Sequence, residues 1–257
     1  MEEKHFENGL VCYFDILGYK NIIKNNPIDY CIKIINEILL GMPERIIKMF
    51  LDELPSDESS LNKLNYFIEN HFKYNMISDT IIAFFDYDGE LGINKYRAVL
   101  FSTFFIQYFH YACFIAGFPM RACIDIGEYY CIKNIIAGQT IVNCYEQSEK
   151  LDFSGIIVTK DAFDFINENC IINTNEVTAS KHWEKVIFKY IVPLKNGLDE
   201  EKYLINWWYE DSKYDDLRKL IFDVFFMHNK MIDQSVIKKI NNTESIIRNF
   251  IHRYQKK

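Results

Sequence analysis

The chain has 257 residues, 49% of them hydrophobic and 25% charged, with few Gly and Pro and a formal net charge of −7. That length can bury a sizeable core in one domain, or one domain with an appendage, and the composition excludes disordered and fibrous classes. The acidic balance and the lack of any Lys/Arg block argue against a surface for a phosphate backbone, so no nucleic-acid partner is expected.

The first predicted element is a strand over 10–17, an apolar run interrupted by Asp15 and closed by a turn at Gly18. Helical spacing follows over 28–51, with Gly41 and Pro43 breaking it in two. Residues 52–65 are polar, and no period is visible in them, which predicts a surface loop or insertion. "KYNMISDTIIAFF" (73–85) predicts two short strands around Ser78 and Asp79. The apolar stretch 99–118 is long enough to span a bilayer. It carries Gln107 and His110, and Arg97 and Arg121 bracket it without orientation bias, so a buried or dimer-facing helix is expected and no membrane span.

Beyond Gly117 the pattern predicts a strand over 120–126, a helix entered at Gly138, a strand over 155–159 and a short helix in "KDAFDFINEN". Strands in "KVIFKYIVPL" and "KYLINWWY" come next, then helix over roughly 213–254, divided near Ile232. The order β-α-ββ-α-β-α-β predicts an α+β fold, a sheet covered by helices on one face. Cys12, Cys31, Cys113, Cys123, Cys131, Cys144 and Cys170 form no CxxC pair, which fits reduced thiols in a cytoplasmic protein. The polar opening "MEEKHFENG" does not resemble a signal peptide.

Asp15 poses the chemical question, because a carboxylate inside a buried run needs a partner or a metal. The end of the first strand and the Ser78-Asp79 turn can lie side by side. Asp15 and Asp79 would then offer oxygen ligands to divalent cations, with the Gly18 turn and following amides near a phosphate. A plainer reading makes Asp15 a helix N-cap and Asp79 a turn residue. Spacing alone does not choose between the two. His71, His110, His182, His228 and His252 are scattered without a zinc motif, and no phosphate-binding glycine loop occurs.

Several motifs, in order, resemble the class III nucleotidyl cyclases: "FDILGYK" (14–20), "ISDTIIAFF" (77–85), "GFPMRACIDIGEYY" (117–130) and "AGQTIVNCYEQSEKLDFSGIIVTKDAF" (137–163). The resemblance implies a ferredoxin-like, palm-type fold with a mixed or antiparallel sheet. A catalytic domain over 1–200 and a strand plus helical extension over 201–257 would make up the chain. Asp15 and Asp79, with the Ile16 carbonyl, would hold two ions, Mn²⁺ or Mg²⁺. Phe14 and the backbone from Leu17 through Gly18 to Tyr19 would contact a nucleoside triphosphate, and the product would be its 3′,5′-cyclic monophosphate. Sites in this family lie between two catalytic domains, which implies a homodimer.

The departures from the family bear on the base. Asn75 stands where purine cyclases carry a Lys, and Ile135 where they carry an acidic or small polar selector. That pattern resembles the pyrimidine cyclases of the Pycsar anti-phage systems, implying UTP in preference to CTP and a separate effector that answers the cyclic nucleotide. The transition-state Arg is replaced by Glu146, and Val142 falls at the ribose-binding Asn. A one-residue shift restores Asn143 and moves the Arg position to Gln147. A substitute cation is then needed, with Arg121 and Lys189 as candidates. Alternatives are a degenerate cyclase-homology domain that binds without turnover, and a purine cyclase with altered selectors.

Overall fold

The computed structural model describes residues 6–53, 58–132, 135–170, 186–208 and 216–255. Eight strands form one sheet: β1 (Glu7–Ile16), β2 (Phe72–Ile77), β3 (Thr80–Asp86), β4 (Met120–Ile132), β5 (Ile135–Ala137), β6 (Gly155–Val158), β7 (Ile187–Pro193) and β8 (Asp199–Ile205). Their order is β2-β3-β1-β4-β6-β8-β7, with β5 paired to β4; only β4 and β6 run parallel. Strand β1 lies between β3 and β4 and is covered on both sides, which explains its unbroken apolar run.

The helices are α1 (Tyr19–Asn25), α2 (Ile28–Ile34), α3 (Met42–Glu53), α4 (Glu58–His71), α5 (Lys95–Ile115), α6 (Gln139–Glu149), α7 (Lys160–Cys170), α8 (Leu217–Phe226) and α9 (Gln234–Gln255). A π-helical stretch, Ile35–Leu40, carries α2 to the Gly41 break. Helix α5 is apolar on all sides because it is a core helix: Phe101, Phe105 and Phe109 are fully buried. Among the described residues it is the one helix long and apolar enough to cross a membrane. Asn94 caps its start by accepting from the Arg97 amide. Its end is a Schellman turn, with Phe118 N–H on Cys113 O (2.8 Å), Gly117 N–H on Phe114 O (2.9 Å) and Gly117 at φ +85°.

Side chains alternate across a strand, and β1 shows where the layers lie. Phe14 meets Phe109 of α5 edge-on at 5.2 Å, whereas Tyr13 meets Tyr145 of α6 at 5.8 Å. Helices α3, α7, α8 and α9 join α5 on its face, through contacts such as Phe50–Phe101, Tyr87–Phe165, Phe114–Phe225 and Trp207–Phe250. The α+β layering is as expected, with one amendment: α6 crosses the opposite face over β1 and β4. Trp207 and Trp208 are core residues.

The loop expected over 52–65 is a further correction. Residues 58–65 begin α4, and its stripe of Leu61, Leu64, Phe67 and Ile68 has helical spacing, with Leu64 and Phe67 buried. Interspersed Ser and Asn masked that stripe. The expected boundary between residues 200 and 201 falls inside β8, which lies between β6 and β7 in the sheet. His182 and Trp183 lie outside the described residues.

Candidate active site

The pairs that Asp15 makes near the end of β1 with each neighbour build the site. Asp15 stands opposite Thr80 of β3 and opposite Arg121 of β4, so all three point to the α6 face. The β2–β3 turn is drawn in by Ile16 N–H donating to Asp79 O at 2.9 Å, which sets Asp79 beside the strand end. Ser78 makes this tight turn at φ +58°. Tyr13 Oη and Thr80 Oγ1 are 3.0 Å apart behind it.

Arg121 is 6% exposed and explains how Asp15 is accommodated. Its Nε donates to Asp15 Oδ2 at 2.9 Å, and its Nη2 to the same oxygen. The guanidinium also donates to Glu149 of α6, at Oε1 (2.6 Å) and at the main-chain oxygen (3.1 Å). Even so, burial pushes the Asp15 carboxyl above its ordinary range; Arg121 pulls it down, and Glu149 and Asp79 add to the rise. Asp15 does not cap α1: the N-cap is Gly18, without a side-chain bond.

An all-oxygen donor set of two carboxylates and a main-chain carbonyl suits hard divalent cations, which complete their shells with water and phosphate. Among the described residues no group of three or more His, Cys, Asp and Glu forms a closed metal cage. Asp15 Oδ1, Asp79 and Ile16 O are the oxygens that would hold Mg²⁺ or Mn²⁺ here, in an open site sharing its ions with a ligand.

The other expected residues divide. Gly18 is exposed at φ +80° and Tyr19 is half-buried beside it, so the turn is open to a ligand. Phe14 is not: its side chain is fully buried on the α5 face. The Leu17 amide is also taken, donating to Pro119 O at 2.8 Å. Asn75 Nδ2 donates to Cys131 Sγ at 3.3 Å, and Ile132 pairs with Ile135, so the two base-selector positions meet at one edge. A cavity of about 500 Å³ there is lined by Lys73, Tyr74, Asn75, Cys131 and Ile132. Asn143 turns inward, its Nδ2 3.4 Å from Asp125 Oδ2, while Val142 is 45% exposed. Glu146 is exposed. Arg121 is corrected as a transition-state cation, being locked between two carboxylates. Lys189 is exposed and paired with Glu201 at 2.8 Å.

Three cations escaped the sequence reading. Lys73 lies one pleat from Asn75 and donates to Glu7 Oε1 and to Cys131 O. Lys202 of β8 pairs with Glu200 Oε1 at 2.6 Å and also donates to Gln147 Oε1 at 3.2 Å, at a cavity of about 390 Å³ lined as well by Lys160 and Lys189. Lys230 packs on the Gly18 turn. None carries a local motif, because Glu7, Gln147 and Gly18 each lie far along the chain from the lysine they meet.

The fold is that of a nucleotidyl cyclase catalytic core. One solved structure with this likeness is "the catalytic core of a rhodopsin-guanylyl cyclase with converted specificity in complex with ATPalphaS". It aligns with a TM-score of 0.50 at 12% identity over 80% of this chain and 98% of its own. No protein-family model matches the chain, and no curated protein matches it in sequence.

Proposed function

We propose that the chain is a nucleotidyl cyclase that converts a pyrimidine nucleoside triphosphate to its 3′,5′-cyclic monophosphate. The observation that carries this reading is the meeting of Asp15, Asp79 and the exposed Gly18 turn at one strand end of a cyclase-type fold. In the reaction the ribose 3′-hydroxyl gives up its proton, its oxygen bonds to the α-phosphorus, and pyrophosphate leaves with the bridging electron pair. Divalent ions, Mn²⁺ or Mg²⁺, supply Lewis acidity and neutralise phosphate charge when bound. Asp15 and Asp79 hold them, and Arg121 keeps Asp15 oriented. Gly18, in the left-handed conformation and exposed, leaves the turn open for its backbone to meet the phosphates.

The departures from the family support a pyrimidine. Asn75 has a donor and an acceptor that match either pyrimidine edge, while the Lys73 ammonium offers donors only. An ammonium beside the base favours the carbonyl of uracil over the amine of cytosine, hence UTP over CTP. Lys202, beside Gln147, is the cation we assign to the charge developing on phosphorus. Exposed Ile77, Val142 and Tyr145 on the α6 side, with Ile132 and Ile135 exposed at the adjoining edge, give an apolar surface suited to a second copy, with sites completed across the dimer. A cyclase of this kind would make a second messenger in the cytoplasm for a separate effector, in anti-phage defence.

A second reading is a cyclase-homology domain that binds nucleotide without turnover. It is favoured by the grip of Arg121 on Asp15 and by Glu146 and Gln147 at the Arg position. Incubation with ATP, GTP, CTP and UTP separately, with Mn²⁺ and an Asp15→Ala control, followed by mass spectrometry, decides between them. A cyclic pyrimidine absent from the control supports the enzyme. A cyclic purine overturns the selector assignment, and metal-dependent binding without product establishes the second reading.

A further inference from the structure

Helix α1 follows the Gly18 turn and is only seven residues long, with Ile22 its one buried side chain. So short a helix is not held by propensity, and its placement must come from tertiary contacts. Those contacts come from the turn between α8 and α9. There His228 and Asn229 adopt left-handed conformations, φ +61° and +55°, which residues with a Cβ take up infrequently. His228 Nε2 donates to Ala116 O (2.8 Å), its Nδ1 meets Tyr30 Oη (2.9 Å), and its ring lies 4.8 Å from Phe118. The far end of α1 reaches the same turn: Asn26 Nδ2 donates to His228 O and Asn25 Nδ2 to Asn229 O, both at 2.7 Å.

Lys230 closes the other end. It is 3% exposed, and among the described residues no carboxylate pairs with it. Its ammonium donates to Gly117 O (2.5 Å) and Val224 O (3.1 Å), which pins the stem across Gly18. A Cβ on Gly18 would stand 2.9 Å from Lys230 Cδ. Burial alone draws the Lys230 pKa down to about 7. Packing of a chain end would be served at lower cost by an apolar residue and a glycine turn, so two strained residues and a buried amine point to a constraint on position.

We infer that the Met227–Lys230 turn is a brace that clamps α1 at both ends and holds the Gly18 turn in its open left-handed form, with Lys230 as a positioning residue acting through its stem. The effect on catalysis rests on the cyclase reading; the brace itself does not.

Hydrogen exchange read by mass spectrometry tests it on the full chain. Lys230→Ala is expected to raise exchange of amides 17–26 about tenfold while β3 and β6 stay unchanged. Lys230→Met, which restores the stem, is expected to return them to within about twofold of wild type. With the most reactive triphosphate, Lys230→Ala should raise KM about tenfold and change kcat less than about threefold, and Lys230→Met should restore KM. If Lys230→Ala does not fold, Asn26→Ala should raise exchange in the same segment, since it removes the bond to His228 O. Unchanged exchange, a rise spread evenly over the molecule, or no rescue by Met overturns the brace. Absence of any cyclic product from wild type would sink the cyclase reading alone, and exchange would still decide the brace.

Discussion

The two ends of the α6 face differ in kind. At one, Asp15, Arg121 and Glu149 satisfy one another inside the chain, with Asp79 drawn alongside. At the other, Asn75 and the buried Cys131 adjoin Ile132 and Ile135, which are 43% and 62% exposed. The first end is complete within one copy, so altering it should disturb both chemistry and stability. On the proposed reading the second end would meet a base and a second copy, so altering it should change recognition and leave folding alone.

The largest expected effect is at the acid end. Asp15→Asn should lower cyclic-nucleotide formation by at least about 10³-fold, measured by mass spectrometry with Mn²⁺, because it removes charge from the ion site. Substantial residual turnover would break the contrast. Arg121→Met should destabilise the metal-free protein by about 3 kcal/mol in urea unfolding, as it strands a largely buried carboxylate. Mn²⁺ should then raise the melting temperature of this variant more than that of wild type, and an equal rise would show that Arg121 and the metal do not share Asp15.

Acid sensitivity separates the carboxylates from the core behind them. The Asp15 pKa is raised, so its stability contribution is greatest below about 3.8 and is lost as pH rises through the elevated value. His110 has the opposite sign. It is fully buried, its Nε2 donates to Met120 O at 3.0 Å, and burial draws its pKa down to about 3. Its contribution is present above about 6.5 and is lost as pH falls toward 3, at about 1.4 kcal/mol per pH unit. Urea titrations of wild type and His110→Gln should therefore converge in that window as pH falls; parallel curves would count against a neutral His110. The smallest expected change in stability is at the selector edge. Ile135→Asp should move folding by less than about 0.5 kcal/mol yet weaken self-association in sedimentation, because the residue is exposed in one copy.

Much of the architecture was legible because it is written in local periods. The apolar run with an acid before a glycine marked the end of β1, and the alternation around Ser78-Asp79 marked the β2–β3 hairpin. Helix α4 was not, since its four apolar residues are diluted by polar neighbours until the sheet shows which side is inward. The same alternation that points Asp15 to the site points Phe14 away from it, a distinction that a motif read as a string does not make.

By itself the sequence determined most of the strand and helix order, α4 apart, the position of the carboxylate in β1 and the departures at Asn75 and Ile135, since these depend on neighbours a few residues away. The tertiary structure alone decided that Arg121 neutralises Asp15 across 106 residues, that Lys202 reaches Gln147 across 55, and that Lys230 lies on Gly18. Such pairings follow from sheet register and helix packing, where burial selects partners by distance in space and separation along the chain carries no signal.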